Sequence, residues 1–273
     1  MQNLFGMKRI FVKILFICIV GLTSCGGYNA VLKSTDNNLK YEKALEYYES
    51  GDYVKCYTLL EAVIPSLRGT EKGEEGLYKL AMAHFLNEDY EMAKSYFTTY
   101  TRGYPKGKYV EDAHYYIGYS FYKDSPDVKL DQASTKKAID SFLAFSEAFP
   151  DSKRMPDVVK MLTELQEKLA EKEYNNALLY YKLGDYMGNN YLSAVVTATN
   201  ALKLYPDSKY KEELSFLILK AKYMQAEKSV ESKIKDRYRD TVDEYYNFVN
   251  EFPNSQHLKE AERMFKKAKK SIE

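Results

Sequence analysis

Leu77–Pro105 reads LYKLAMAHFLNEDYEMAKSYFTTYTRGYP and predicts two helices that pack against each other. Apolar side chains recur every three or four residues on both sides of the polar turn Asn87–Asp89, which is typical of amphipathic helices. Ala81 and Ala93 are small enough to let the two helix axes approach to about 8–10 Å. Pro105 ends the second helix, because proline has no backbone N–H to donate.

The same ending, an aromatic residue followed by proline, recurs along the chain. It is found at Tyr104-Pro105, Phe149-Pro150, Tyr205-Pro206 and Phe252-Pro253. Counted from Pro65, these prolines lie 40, 45, 56 and 47 residues apart, whereas the tetratricopeptide repeat has about 34 residues. The order of small, aromatic and proline positions resembles that repeat. We therefore predict an all-α, tetratricopeptide-like α-solenoid of about five irregular helix pairs.

Further local features follow from this repeat pattern. Gly118 and Ala138 are 20 positions apart, whereas Ala81 and Ala93 are 12 apart, so the third repeat carries an insertion at 123–134 that we expect to protrude. The charged segment 228–239 is expected to be a long junction between two helices. After the later prolines, Asp207-Ser208 and Asn254-Ser255 are predicted to cap the next helices.

A stripe of aromatic and apolar side chains follows the first helix of each of the first three repeats. Its members are spaced by four and then three residues, so each set lies on one helix face. They are Tyr41, Leu45 and Tyr48, then Tyr78, Met82 and Phe85, then Tyr115, Tyr119 and Tyr122. One interpretation is a groove for an extended peptide, since tyrosine offers both apolar area and a hydroxyl group. The other is that the stripe belongs to the core.

The composition excludes several classes of function. The 273 residues carry a formal net charge of +1, which gives no bulk attraction for nucleic acid. No nucleotide-binding, metal-binding or nucleophile motif of the usual spacing is present, so we expect neither an enzyme nor a metal or other cofactor. Cys56 and His84 occupy positions at the predicted contacts between helices, and we expect both to be buried.

The C-terminal segment is strongly basic. Its cations are Arg263, Lys266, Lys267, Lys269 and Lys270. They are suited to the negative end of a helix, to an anionic lipid surface or to an acidic partner protein.

The N-terminus has the order of a bacterial export signal. Basic residues precede an apolar run, Ile14–Leu22, which is too short to span a bilayer stably. The sequence Leu22-Thr23-Ser24-Cys25 follows and resembles the lipobox of bacterial lipoproteins. The resemblance implies a signal peptide at 1–24, a covalent lipid on Cys25 as the only expected non-protein group, and a short tether at 25–38. The alternative is an ordinary signal peptide whose cleavage happens to leave a cysteine.

Together, the lipobox and the irregular repeats resemble the BamD family of outer-membrane β-barrel assembly lipoproteins. The segment that shows this most clearly is Glu111–Gln132, EDAHYYIGYSFYKDSPDVKLDQ, followed by Phe149-Pro150-Asp151-Ser152. The resemblance implies a non-enzymatic scaffold, anchored by lipid at the periplasmic face of the outer membrane. Residues 39–156 would receive unfolded outer-membrane proteins, and residues 157–273 would dock to a BamA-like barrel subunit. Another periplasmic tetratricopeptide scaffold, serving envelope or cell-division complexes, is the alternative, and a cell-wall hydrolase is a third reading.

Overall fold

A computed structural model describes residues 24–273, and within that range the chain forms α-helices and no β-strand. The signal peptide predicted at 1–24 lies almost entirely outside the described residues. The first compact unit comprises 24–124 and 140–150 of the described chain. Its complete helices are α1 (Ser24–Lys33), α2 (Asn37–Glu49), α3 (Tyr53–Val63), α4 (Glu71–Leu86), α5 (Tyr90–Gly103) and α6 (Val110–Lys123).

The second compact unit comprises residues 125–139 and 151–273. Helix α7 (Ala133–Ala148) contributes its first half to this unit and its second half to the first unit. The remaining helices are α8 (Met155–Leu183), α9 (Asn190–Leu204), α10 (Lys211–Glu227), α11 (Glu231–Glu251) and α12 (Leu258–Ile272). Among all described helices, none has an apolar stretch long enough to cross a membrane.

Short polar turns join the two helices of a pair. In the first pair, Gly51 has φ +78° and Asp52 follows it, and the Asp52 carboxylate accepts a hydrogen bond from the backbone N–H of Lys55. In the second pair, Glu88 takes the same left-handed conformation and Asp89 caps α5 through the N–H of Met92. An aspartate at this position satisfies an N–H group that has no partner within the helix.

Small residues lie where helices cross, as the sequence predicts. Fully buried alanines occupy these positions: Ala44, Ala81, Ala93, Ala113, Ala138, Ala194, Ala198 and Ala201. At Gly118, an added Cβ would come within 2.7 Å of the Phe142 ring, so only glycine allows this approach. The all-α class, with helices packed in adjacent tetratricopeptide-like pairs, is therefore confirmed.

A recurrent hydrogen bond, here called the glutamate clamp, ties the first helix of a repeat to the loop after its second helix. Glu74 accepts hydrogen bonds from the Tyr100 hydroxyl (2.7 Å) and the Lys108 N–H (2.6 Å). Two later repeats use the serine after the proline, since Ser208 donates to Glu167 at 2.9 Å and Ser255 donates to Glu212 at 2.6 Å.

The clamp corrects the prediction that Asp207-Ser208 and Asn254-Ser255 cap the next helices. Helices α10 and α12 begin without a side-chain cap. Each serine hydroxyl accepts an N–H two residues later, from Tyr210 and His257 respectively, while it donates to the glutamate. Both serines therefore close the repeat to which they belong.

The insertion at 123–134 does not protrude freely, contrary to the sequence prediction. Lys168 of α8 donates to the Ser125 hydroxyl at 2.8 Å and to the Pro126 carbonyl at 3.2 Å. Lys172, one turn later, donates to the Leu130 carbonyl at 2.6 Å. The side chain of Gln132 is buried and donates hydrogen bonds to the Asp127 and Leu130 carbonyls. These bonds fold the insertion against α8.

Two other segments also differ from expectation. Part of the predicted tether at 25–38 is helical, and Tyr28 and Leu32 of α1 pack against the core of the first unit. The expected junction at 228–239 is only three residues long, because α11 begins at Glu231. Ile234 and Tyr238 pack beside Ala226, and this burial stabilises the helix despite its charge.

We predict that Glu167→Ala lowers the free energy of unfolding by about 1–3 kcal/mol, because it leaves the Ser208 hydroxyl and the Lys209 N–H without their acceptor. Urea denaturation measures this loss. The exposed Glu147→Ala serves as the control and should change stability by less than about 0.5 kcal/mol. Equal effects of the two substitutions would contradict a structural role for the clamp.

Candidate peptide-binding surface

The predicted aromatic stripe lies on α2, α4 and α6 of the first unit, and the structure divides it into two groups. Four of its nine residues are in the core: Tyr41 is 2% exposed, Met82 7%, Phe85 9% and Tyr115 6%. For these four the core interpretation applies, and the groove prediction is corrected. Tyr41 and Phe85 contact the next first helix, α4 and α6 respectively, whereas Tyr115 packs on α7.

The other five stripe residues keep part of their surface accessible. They are Leu45, Tyr48, Tyr78, Tyr119 and Tyr122. Tyr119 and Tyr122 stack with ring centroids 5.9 Å apart, and Tyr119 also contacts the buried Phe85. Tyr78 stacks on Tyr109 at 4.3 Å. The rings are thus fixed in place by aromatic neighbours, and binding another chain would cost them little rotamer entropy.

Lysines lie beside this accessible row, and the Lys123 ammonium is 5.8 Å from the centroid of the Tyr119 ring. The Lys79 ammonium lies 4.0 Å from the centroid of the Tyr48 ring and 3.3 Å from the Glu49 carboxylate. Burial raises the pKa of Tyr48 to about 12, so its hydroxyl stays neutral at physiological pH. A row of neutral phenols beside a paired lysine can pack apolar side chains and donate hydrogen bonds to carbonyl groups.

The structure also contains a cavity that the sequence reasoning missed. It has a volume of about 590 Å³ and lies in the first unit, where Leu77 and Leu80 line its apolar part. Arg68 and Arg102 also line it, and neither guanidinium group forms an ion pair or hydrogen bond within the described residues. Such a cavity can accept an apolar group that carries a negative charge.

The scarcity of arginine in the first unit is the one feature of the sequence that points to this cavity. Apart from Arg9, which lies outside the described residues, Arg68 and Arg102 are the only arginines of the first unit. They are 34 positions apart in sequence, and only the folded repeats show that they share one cavity.

The two side chains predicted to be buried are buried. Cys56 is 0% exposed, and burial raises the pKa of its thiol to about 12. His84 is 3% exposed and stacks on Tyr57, with ring centroids 4.2 Å apart. Its Nδ1 lies 3.1 Å from an Asp89 carboxylate oxygen. Over residues 24–273, no group of three or more His, Cys, Asp or Glu side chains is arranged to hold a metal ion.

Cys25, the predicted lipid attachment site, lies in the first turn of α1. Its side chain is outside what the structure describes.

Similarity to known proteins agrees with the features above. Residues 33–188, more than half of the chain, match the family YfiO, described as outer membrane lipoprotein. A putative outer membrane protein assembly factor BamD from Aquifex aeolicus (strain VF5) is 27% identical over 182 residues, which cover 66% of this chain and 58% of that protein. The chain therefore spans less than two thirds of the length of that curated relative.

Among solved structures, the TPR2AB-domain:pHSP90-complex of yeast Sti1 aligns with a TM-score of 0.40 and 13% identity. The alignment covers 85% of this chain and 98% of that one. At this TM-score the likeness supports no conclusion about function.

We predict that the buried and accessible tyrosines of the stripe differ in their effect on stability. Tyr115→Ala should cost about 3–5 kcal/mol of unfolding free energy, because it empties a packed site between Phe142 and Phe145. Tyr122→Ala should cost less than about 1 kcal/mol. Thermal and urea denaturation of both variants measure the difference. If Tyr122→Ala is as damaging as Tyr115→Ala, the accessible row is core.

A second prediction concerns Cys56. In a Cys18→Ser/Cys25→Ser chain, the folded protein should react slowly with an uncharged thiol reagent, since the buried thiol stays protonated. Urea should restore the reaction rate of an ordinary cysteine. Equal rates in the folded and unfolded protein would show that Cys56 is accessible.

Proposed function

The chain belongs to the YfiO family of outer membrane lipoproteins, and from that membership we propose that it is a non-enzymatic scaffold for the assembly of outer-membrane proteins. The name of its Aquifex aeolicus relative supports this role. In the proposal, the first unit receives unfolded outer-membrane proteins, and the second unit docks to the barrel-forming subunit, a BamA-like protein. The protein itself is held at the periplasmic face of the outer membrane by lipid on Cys25.

The receiving role rests on the accessible aromatic row of the first unit. Outer-membrane β-strands carry apolar and aromatic side chains alternately with polar ones. An extended segment of this kind offers side chains that can pack on Tyr48, Tyr119 and Tyr122, while its backbone carbonyls can accept hydrogen bonds from tyrosine hydroxyl groups. Binding of this type is not tied to one sequence, which suits a protein that handles many clients.

The docking role rests on an exposed apolar face of α9. Leu192, Val196 and Leu204 are 48%, 51% and 68% exposed, and they lie on a helix whose buried side is filled by alanines. Exposed aliphatic side chains at helical spacing are suited to a protein interface. A BamA-like subunit is the partner that the family resemblance implies.

Client binding is tested with a synthetic peptide copied from the last strand of an outer-membrane protein. Tyr119→Ala/Tyr122→Ala should weaken its binding by about 1–2 kcal/mol, that is about five- to thirtyfold, because two stacked contact rings are removed. Fluorescence anisotropy of the labelled peptide measures the dissociation constant.

The matched variant is Arg68→Gln/Arg102→Gln, which removes both positive charges from the cavity of the first unit and leaves the tyrosines intact. If this variant loses binding while the tyrosine variant keeps it, the cavity is the client site and the aromatic row is not. If neither variant loses affinity, the receiving role of the first unit is wrong.

Docking is tested by affinity purification from solubilised membranes. The tagged native chain should bring down a BamA-like protein, and Val196→Glu should reduce its recovery at least about tenfold, because a charge is buried at the interface. Val159→Glu, equally exposed on α8, is the control and should have no effect. Recovery of a different set of envelope proteins, without any barrel subunit, would favour the alternative scaffold role.

Lipid attachment is tested by mass spectrometry of the membrane-extracted protein. The N-terminal peptide should begin at Cys25 and carry two or three acyl chains, which are enough for stable anchoring. Cys25→Ser should release the protein into the soluble fraction of the envelope. An unmodified Cys25 would leave an ordinary signal peptide as the explanation.

A further inference from the structure

In the second unit, the C-terminal ends of α8, α10 and α12 lie side by side at one edge. The Lys228 ammonium, just after α10, is 3.9 Å from the Asp185 carboxylate, just after α8. Lys267 of α12 lies 2.8 Å from Glu227 at the end of α10. Ala268 packs in one cluster with Ala226. These contacts bring the 184–189 loop, the 228–230 turn and the end of α12 together, and we call this the turn edge.

Large apolar side chains at the turn edge point into solvent. Met187 is 89% exposed, Tyr186 69% and Val230 64%. The loop backbone holds Tyr186 and Met187 outward, since Gly184 and Met187 both adopt positive φ and Asn190 donates to the Tyr186 carbonyl at 2.7 Å. Side chains of this size are normally buried, and their clustering at one tip marks an interaction surface.

Lysines also lie at the turn edge. Lys269 and Lys270 are exposed at the end of α12, and neither forms an ion pair with any described residue. The nearby acids are largely compensated, because Asp185 faces Lys228, and Glu227 accepts from both Lys267 and the Tyr238 hydroxyl. Glu231 and Glu273 are exposed, so the edge is mixed in sign, with its unpaired lysines on α12.

We propose that the turn edge rests on the surface of an anionic phospholipid bilayer. Tyrosine is favoured at the depth of the lipid headgroups, where its ring is shielded and its hydroxyl remains hydrated. Met187 and Val230 enter the acyl boundary beside Tyr186, and Lys269 and Lys270 lie among the lipid phosphates. This contact is separate from the lipid on Cys25 and from client or partner binding. It gives the second unit its own membrane contact.

The chain contains no tryptophan, so a single introduced tryptophan reports its own surroundings. Tyr186→Trp places the probe at the turn edge. Tyr246→Trp is the matched control, because Tyr246 is 50% exposed in the same unit but lies near the other end of α11, about 22 Å along the helix from Glu231. Each purified protein is mixed in detergent with phosphatidylglycerol whose acyl chains are brominated, and the detergent is then removed.

Tryptophan emission from the Tyr186→Trp protein should shift to the blue and be quenched by the brominated chains, whereas emission from the Tyr246→Trp protein should be unaffected. Vesicles of brominated phosphatidylcholine should quench the turn-edge probe much less, and added salt should weaken the quenching in phosphatidylglycerol. If the two proteins are quenched equally, or if neither is quenched, the turn edge is not a membrane surface.

The lysines are tested in the Tyr186→Trp protein. Adding Lys269→Gln/Lys270→Gln should raise the phosphatidylglycerol content needed for half-maximal quenching, with affinity falling about fivefold for each lysine removed. Lys129→Gln/Lys153→Gln removes the same charge from exposed positions elsewhere in the unit and should leave quenching unchanged. Equal effects of the two pairs would show that net charge alone governs binding and would overturn the proposed lysine contact.

Discussion

The glutamate clamp fixes how one helix pair ends and the next begins. Proline stops the second helix of a repeat, and the loop after it then has N–H and hydroxyl donors that need acceptors. Glu74, Glu167 and Glu212 supply a carboxylate from the first helix of the same repeat. The bond joins the first helix of a pair to the loop after its second helix, and so restrains the point at which the following helix begins.

Packing between neighbouring helices divides the aromatic stripe into two groups. Tyr41 and Phe85 contact the next first helix, and Tyr115 packs on α7, so these three rings are core. Tyr119 and Tyr122, near the end of α6, stay partly accessible while still packed on aromatic neighbours. A rigid apolar surface suits the proposed binding and release of unfolded chains, because little side-chain entropy is lost on binding.

Much of the fold can be predicted from sequence, because its determinants are local. Small residues such as Ala81 and Ala93, and prolines such as Pro105, act through sterics that depend little on distant residues. The clamp could not be predicted, since it joins residues about 40 positions apart, and serine after proline is equally suited to a helix cap.

The candidate site was only partly predictable, for a related reason. Helical spacing places residues on one face but does not show how much of that face the next repeat covers. The packing of the insertion could not be predicted for the same reason. The lysines that bind it, Lys168 and Lys172, belong to a helix some 40 residues later in the chain. Exposure of the loop containing Met187 likewise depends on the packing of three helix ends.

The central claim, that the accessible aromatic row meets unfolded clients, is tested most directly by photo-crosslinking in cells. A photoreactive phenylalanine at Tyr122 should form crosslinks to newly made outer-membrane proteins, and these should disappear once synthesis stops and the clients have folded. The same group at Tyr246, on the second unit, is the control. Crosslinks that are absent at Tyr122, or equally frequent at both positions, would contradict the account.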